Sequence, residues 1–190
     1  NKINYMRNSV KAVVDAYDGS VRLFRWDDQD PILRTWEKIY PGSVEPMSAI
    51  SGDLMSHLRY PEDMFKVQRN LLATYHVTDA SGFYSGGDRW RLAEETSTYG
   101  DASASSSSQR VDANGNPVSA PTSLQPPYYL TMQMPGQESA EFSLTSVFVP
   151  GGGGEGRREA MAGFLAVDSE TGNTPGQVRE GYGKLRLLAL

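Results

Sequence analysis

The first alternation of apolar and polar residues along the chain predicts a β-hairpin over residues 10–26. The apolar positions of this hairpin are Val10, Ala12, Val14, Ala16, Val21 and Leu23. Asp18 and Gly19 are typical of a two-residue turn between the strands, because glycine readily adopts the positive φ that such turns require. This register places Asp15 opposite Arg22, where a cross-strand ion pair would account for both side chains.

Three segments with helical spacing follow the hairpin. Asp30 and Pro31 are typical of an N-cap and a first helical position, and the apolar stripe behind them consists of Ile32, Leu33, Trp36, Ile39 and Tyr40. Ser51 is expected to cap a short second helix, which ends before Pro61. The third helix is expected from Pro61 to about residue 76, with a buried face made of Met64, Val67, Leu71, Leu72 and Tyr75.

The rest of the pattern predicts four strands, at residues 128–134, 141–149, 161–167 and 184–188. We expect residues 79–92 to form a loop pinned by its aromatic side chains. Ser, Thr, Ala, Gly and Pro dominate from about 93 to 127, which indicates a flexible insertion. The sequence therefore predicts a single α+β domain over residues 1–190, with an antiparallel sheet of about five or six strands and two or three helices on one face.

Composition narrows the classes of function. The net charge is -5, with 18 basic residues scattered among 23 acidic ones, which argues against a nucleic-acid partner. The chain has no cysteine, which excludes disulfides, thiolate metal sites and cysteine nucleophiles, and its 2 histidines are too few for a multi-histidine zinc site. We expect no metal and no cofactor. No apolar run approaches the roughly 18 residues of a membrane-spanning helix.

A dense group of charged and aromatic side chains begins the third helix, at residues 57–69. The candidate binding residues are His57, Arg59, Tyr60, Asp63, Arg69 and Trp90. A structural role explains several of them as well, because Glu62 and Asp63 complement the dipole of the helix they begin. We predict no catalytic residue, since the chain lacks the Gly-x-Ser-x-Gly, Ser-x-x-Lys and dinucleotide-binding motifs.

Four stretches of the chain resemble the uncharacterised UPF0182 family of bacterial membrane proteins. They are residues 5–19 (YMRNSVKAVVDAYDG), 57–69 (HLRYPEDMFKVQR), 127–130 (PYYL) and 182–185 (YGKL). The resemblance implies an extracytoplasmic domain of a protein held in the cell membrane by transmembrane helices outside this chain. It supplies no catalytic or ligand-binding residue. Because the chain starts at Asn1 without a signal sequence, we also expect a domain excised from a longer protein.

Three hypotheses about function follow. The first is a non-catalytic module of the cell envelope that binds the remainder of its own membrane-embedded chain or other envelope proteins. The second is a small-molecule sensor or binding module, because the order of hairpin, helices and strands is also that of PAS and Cache sensor domains. The third is a hydrolase of envelope polymers that uses carboxylates, with Asp15, Glu62 and Asp63 as candidates.

Overall fold

Four α-helices and two β-sheets make up the part of the chain that the computed structural model describes, which is residues 5–95, 124–151 and 160–190. The helices are α1 (Pro31–Ile39), α2 (Gly52–His57), α3 (Glu62–Tyr75) and α4 (Ala80–Ser85), with a short 3₁₀ helix at Met47–Ala49. The strands are β1 (Val10–Val14), β2 (Val21–Arg25), β3 (Trp90–Leu92), β4 (Tyr128–Met132), β5 (Glu141–Pro150), β6 (Gly163–Asp168) and β7 (Leu185–Ala189). These elements confirm the predicted α+β class.

The larger sheet is antiparallel and has five strands, in the order β3-β5-β6-β7, with β4 also paired to β5. The four strands expected near the end of the chain are therefore confirmed as β4 to β7. The prediction of a loop over residues 79–92 is wrong, because this segment contains α4 and β3. β3 has 3 residues and forms by pairing with β5, where Trp90 lies opposite Pro150. Such a pairing between distant segments has no local signal in the sequence.

The hairpin of β1 and β2 forms a separate two-stranded sheet, and its register differs from the predicted one. The turn is longer than two residues, because the amide of Asp15 donates to the carbonyl of Ser20 at 2.9 Å. Arg22 consequently lies opposite Val13, and its guanidinium pairs with the carboxylate of Glu45 at 2.7 Å. The predicted ion pair between Asp15 and Arg22 is therefore wrong.

The buried face of the hairpin is also the opposite of the predicted one. Val14 and Val21 are exposed, whereas Val13 and Trp26 pack against the buried cluster that contains Phe24. Val13 and Val14 are adjacent, so alternation by itself is compatible with either face. Packing against other elements decides between the two faces.

Residue contacts divide the chain into two compact units, each drawn from three stretches. The first unit is Asn1–Gln68, Leu130–Leu144 and Val167–Leu185. Its core contains Phe24, Ile50 and Met55, which are almost fully buried. The hydroxyl of the buried Thr171 donates a hydrogen bond to the carbonyl of Met55. This core holds β2 against α2 and the segment between them.

The second unit is Arg69–Tyr129, Thr145–Ala166 and Arg186–Leu190. The indole of Trp90 stacks on the imidazole of His76, with 3.5 Å between ring centroids, and lies 5.4 Å from the ring of Phe148. Gly163 allows this arrangement, because a Cβ at that position would lie 2.6 Å from the indole of Trp90. Trp90 therefore has a clear packing role in this unit.

The caps of the first two helices are as the sequence predicts. The carboxylate of Asp30 accepts a hydrogen bond from the amide of Ile32 at 2.9 Å, and Pro31 is the first residue of α1. The hydroxyl of Ser51 accepts one from the amide of Leu54 at 3.2 Å at the start of α2. Local sequence is sufficient here, because capping depends on residues within one helical turn.

The buried stripe of α3 differs from the prediction. Phe65, Arg69 and Ala73 are buried, whereas Leu71 and Tyr75 are more than half exposed. Arg69 lies in the buried stripe between Phe65 and Ala73, and none of these three residues belongs to the predicted stripe, so the buried face is rotated around the helix. A hydrophobic pattern cannot anticipate a buried guanidinium, because arginine is rarely buried without specific hydrogen bonds.

No helix within residues 5–95, 124–151 and 160–190 is long and apolar enough to cross a membrane. Most of the predicted insertion at about 93–127 lies outside the described residues. The single-domain organisation stays a prediction.

Candidate functional site

An exposed apolar face on α1 is the main candidate for a functional surface in the first unit. The fractions of exposed surface are 49% for Ile32, 53% for Trp36, 57% for Ile39 and 55% for Tyr40 at the C-cap. Helical spacing places these four residues on one side, and the rings of Trp36 and Tyr40 stack with centroids 5.5 Å apart. We call these four residues the α1 face.

The α1 face is most of the apolar stripe that the sequence predicts for this helix. Of that stripe only Leu33 is buried. The predicted stripe is therefore present, but most of its side chains are exposed rather than buried. Sequence periodicity shows that a helix is amphipathic without showing what covers its apolar side.

Polar contacts hold α1 in place independently of the α1 face. The carboxylate of Asp30 accepts hydrogen bonds from the hydroxyl of Tyr5 at 2.9 Å and from that of Ser9. The guanidinium of Arg25 pairs with the carboxylate of Glu37 at 2.8 Å. The helix is thus anchored at its start and along its polar side, so the α1 face can be contacted without moving it.

An open groove of about 460 Å³ runs beside the α1 face. It is lined by residues 5–7, 9, 10, 30, 32, 33 and 36. Tyr5 and Met6 are themselves exposed. The apolar surface therefore extends from the helix onto the segment that precedes β1.

Two charged groups of this groove already have partners. The hydrogen bond from Ser9 lowers the pKa of Asp30, so this carboxylate is ionised at neutral pH. The guanidinium of Arg7 lies 2.5 Å from the carboxylate of Asp27. The surface that is left open is mainly apolar, which suits a protein contact better than a chemical step.

Two of the predicted binding residues, Arg59 and Tyr60, are held by structural contacts in the first unit. The amide of Tyr60 donates to the hydroxyl of Ser169 at 3.0 Å, and its phenol exchanges hydrogen bonds with the side chain of Gln68. Burial raises the pKa of Tyr60, so the phenol stays neutral. The guanidinium of Arg59 donates to the carbonyl of Leu58 at 2.9 Å.

Lys11 joins Arg59 and Tyr60 in a cluster with two further aromatic residues. Its Nζ donates to the carbonyl of Arg59 at 2.9 Å and lies 4.9 Å from the ring centroid of Trp26. The ring of Tyr182 lies 5.7 Å from Trp26 and 5.9 Å from Tyr60. Burial lowers the pKa of Lys11 to about 8. Sequence reasoning missed this lysine, because it lies on the face of the hairpin opposite to the predicted apolar face.

The other predicted binding residues are not gathered around this cluster. His57 and Asp63 are exposed, and Asp63 lies 3.4 Å from Lys66 in an ion pair along α3. Arg69 and Trp90 belong to the second unit. There the guanidinium of Arg69 donates to the carbonyl of Gln125 at 2.9 Å and to the hydroxyl of Ser146 at 3.3 Å. A binding role for these six residues stays a prediction.

The carboxylates of the hydrolase hypothesis have structural partners. Asp15 accepts a hydrogen bond from the amide of Tyr17 at 2.7 Å, and Glu62 pairs with Lys66 at 2.6 Å. Asp15, Glu62 and Asp63 are all exposed. No group of three or more His, Asp or Glu that could hold a metal ion occurs among the residues that the structure describes.

A partly buried ion cluster lies at the end of β6. The guanidinium of Arg179 lies 2.7 Å from the carboxylates of both Glu141 and Asp168. Asp168 is almost fully buried, and burial raises its pKa. Since one guanidinium serves both carboxylates, we assign this cluster a structural role.

Comparison with known proteins gives a family but no activity. The model of an uncharacterised protein family, UPF0182, matches residues 1–190. A UPF0182 protein of Clavibacter sepedonicus is 52% identical over 190 residues, which is 100% of this chain and 18% of that protein. A UPF0182 protein of Bifidobacterium longum is 51% identical over 189 residues, covering 100% of this chain and 16% of that protein.

The chain thus spans less than a fifth of the length of these relatives. No solved structure matches the chain significantly.

Proposed function

The chain belongs to UPF0182, an uncharacterised protein family, and we propose that it serves there as a non-catalytic module for protein interaction, with the α1 face as its docking surface. The observation that carries this proposal is the exposure of four large apolar side chains on one side of a helix. The two alternative functions, a small-molecule sensor and a carboxylate-dependent hydrolase, do not require such an exposed apolar face.

Covering the α1 face is energetically favourable. Removing apolar surface from water contributes roughly 25 cal/mol per Å², and contiguous apolar patches with polar rims mark interaction sites in soluble domains. Asp30 and the pair Arg25–Glu37 supply polar groups at the margin of the face. A partner can therefore cover the apolar side chains while these polar contacts stay in place.

We propose that the partner is another part of the same polypeptide. More than four fifths of the length of the two relatives compared above lies outside the segment that this chain matches. A tethered segment acts at an effective concentration on the order of millimolar. It therefore competes well against a separate protein of the same affinity.

Photo-crosslinking in a full-length relative tests this docking. A p-benzoylphenylalanine is placed at the position aligned with Trp36, and a control is placed at the position of Tyr17, which is fully exposed in the hairpin turn. We expect the first probe to capture a peptide of the same polypeptide from outside the aligned segment, and the control to capture none. Capture of lipid or of a second copy at the Trp36 position would contradict the proposal, as would no capture.

We also propose that the module lies on the extracytoplasmic side of the cell membrane. The support is the resemblance of residues 5–19 and 57–69 to the UPF0182 family, which implies an extracytoplasmic domain of a membrane protein.

A single engineered cysteine tests this location, because the chain has no cysteine of its own. In a full-length relative without other reactive thiols, a cysteine at the position of the exposed Tyr17 should react with a membrane-impermeant maleimide in intact cells. Labelling only after lysis would place the module on the other side. A cysteine at the position of the buried Phe24 is the control and should stay unlabelled in both cases.

The small-molecule sensor stays an alternative prediction. The 460 Å³ groove is open and is lined by the segment before β1 and by α1. None of its lining residues comes from the five-stranded sheet, where the comparison with PAS and Cache domains would place a ligand. The groove therefore favours the interaction module.

A further inference from the structure

We propose that the outer edge of β7 is a second docking site, at which another segment of the same polypeptide adds a β-strand to the five-stranded sheet. This site involves other residues than the α1 face, and it does not depend on what covers that face. Three observations carry the proposal: the position of β7 in the sheet, its pattern of exposure, and its composition.

β7 is the last strand in the order of the sheet within the described part of the chain. On its inner side it pairs with β6 in antiparallel fashion. Hydrogen bonds at both ends of the pair show this, from the amide of Asp168 to the carbonyl of Lys184 at 3.4 Å and from the amide of Leu190 to the carbonyl of Ala162 at 3.0 Å. The other side of a terminal strand presents backbone donors and acceptors that can pair with a further strand.

The side chains of β7 alternate in exposure. Leu185, Leu187 and Ala189 are exposed, whereas Arg186 and Leu188 are partly buried. One face of β7 is therefore an exposed apolar row, and an added strand with apolar residues at alternate positions would place them beside this row as cross-strand neighbours.

The composition of β7 gives it little of the usual protection of an edge strand, although the exposed Lys184 lies just before the strand. Natural edges are commonly blunted by lysine, proline or a bulge, which discourage pairing. β7 reads Leu-Arg-Leu-Leu-Ala, with one charge and no proline. Such an edge is suited to accept a strand, and strand addition is a recurring mode of peptide recognition.

A strand of the same polypeptide is the occupant that we infer. The relatives carry more than four fifths of their length outside the matched segment, and tethering favours such a strand over a second copy of the protein. The added strand must suit the side chains of β7. We therefore expect it to have apolar side chains at every second position, next to Leu185 and Leu187.

Hydrogen exchange tests the pairing without any substitution. Amides of β7 are compared between this 190-residue chain and a full-length relative at aligned positions. We expect those of the full-length protein to exchange at least tenfold more slowly, because the added strand protects the outward-facing amides. The amides of Tyr17 and Asp18 in the hairpin turn are the control and should not change. Equal exchange of β7 in the two proteins would overturn the proposal.

Crosslinking identifies the occupant. With p-benzoylphenylalanine at the position aligned with Leu187, we expect capture of a peptide from the same polypeptide, outside the aligned segment and with alternating apolar residues. A mixture of isotopically light and heavy protein distinguishes capture within one polypeptide from capture between copies. Capture of a second copy would overturn the proposal, and so would a captured peptide without that alternation. The Trp36 probe reports on the α1 face separately. A negative crosslinking result at one of the two sites therefore does not affect the interpretation of the other.

Discussion

Burial changes the ionisation of Lys11, whose amine lies between the carbonyl of Arg59 and the ring of Trp26. The folded pKa is about 8, against 10.5 for the free side chain. Between these values the unfolded chain binds a proton that the folded chain has lost. Folding stability attributable to Lys11 therefore rises as the pH increases from about 8 to 10.5, with a slope of at most about 1.4 kcal/mol per pH unit.

Lys11→Met should remove this rise. Methionine keeps the length of the apolar stem and has no ionisable group. The free energy of urea unfolding, measured from pH 7 to 10, should then be flatter for the variant than for the parent chain. Lys38→Met, which changes an exposed lysine of α1, is the matched control and should keep the parent slope. An unchanged slope in Lys11→Met would show that its amine is not desolvated.

Asp30 is the residue on which the position of α1 most directly depends. Its carboxylate caps the helix and accepts hydrogen bonds from Tyr5 and Ser9. Asp30→Ala should destabilise the chain by about 1–2 kcal/mol in urea unfolding, since an N-cap is lost together with two tertiary contacts. Asp30→Asn keeps a capping oxygen and should cost less. Equal losses for the two variants would mean that charge, rather than capping, is what matters.

At the level of single residues, the sequence predicted the helix caps correctly but did not predict which ionisable side chains are buried. Asp30 and Ser51 were recognisable because a cap acts within one turn of helix. Lys11 and Arg69 were not, because their burial depends on segments far away in the chain. The same limit applies to Trp90, whose partners His76 and Phe148 come from α3 and β5.

At the level of secondary-structure elements, α1 carries exposed residues that are available to a partner and a buried residue that stabilises the chain. Trp36→Gln should change the unfolding free energy of this chain by less than about 0.5 kcal/mol, because the side chain is exposed. Leu33→Ala, on the same helix but buried, should cost about 2–4 kcal/mol. Urea unfolding of the two variants checks both values. A large loss for Trp36→Gln would show that the α1 face is needed by the chain itself.

The helices and strands also show how much of the secondary structure can be predicted from the periodicity of apolar residues. The strands β4 to β7 and the helices α1 to α3 appear where periodicity places them, within a few residues. β3 and α4 are short, so neither has enough turns or alternations to give a periodic signal. For β1 and β2 the elements were predicted but the register and the buried face were wrong, because both depend on the turn and on packing against Ile50 and Met55.

For the chain taken as a whole, Arg179 ties together parts of the first unit that are distant in sequence. Arg179→Met should destabilise the chain by about 2–3 kcal/mol at pH 7, because it leaves the buried carboxylate of Asp168 without its cation. A carboxyl group whose folded pKa is raised contributes most to stability at low pH and loses that contribution as the pH rises. The loss in this variant should therefore shrink as the pH falls from 7 toward 4.

Unfolding in urea at several pH values checks this trend. Lys184→Met, which changes an exposed lysine next to β7, is the control and should stay close to the parent chain. A loss for Arg179→Met that stays constant with pH would show that Asp168 is not protonated in the variant.

By itself, the sequence determined the family, the α+β class, most of the elements and the helix caps. The family is identified by long matching motifs, and the elements and caps depend on local chemistry. In both cases the information lies in residues that are close together in the chain. Only the tertiary structure decided which faces are buried. Among the described residues, it reversed the buried face of the hairpin, placed Arg69 in the buried stripe of α3 and left the α1 face and the side chains of Leu185 and Leu187 on β7 exposed. Burial is settled by the sum of contacts between distant segments, and no single segment contains that information.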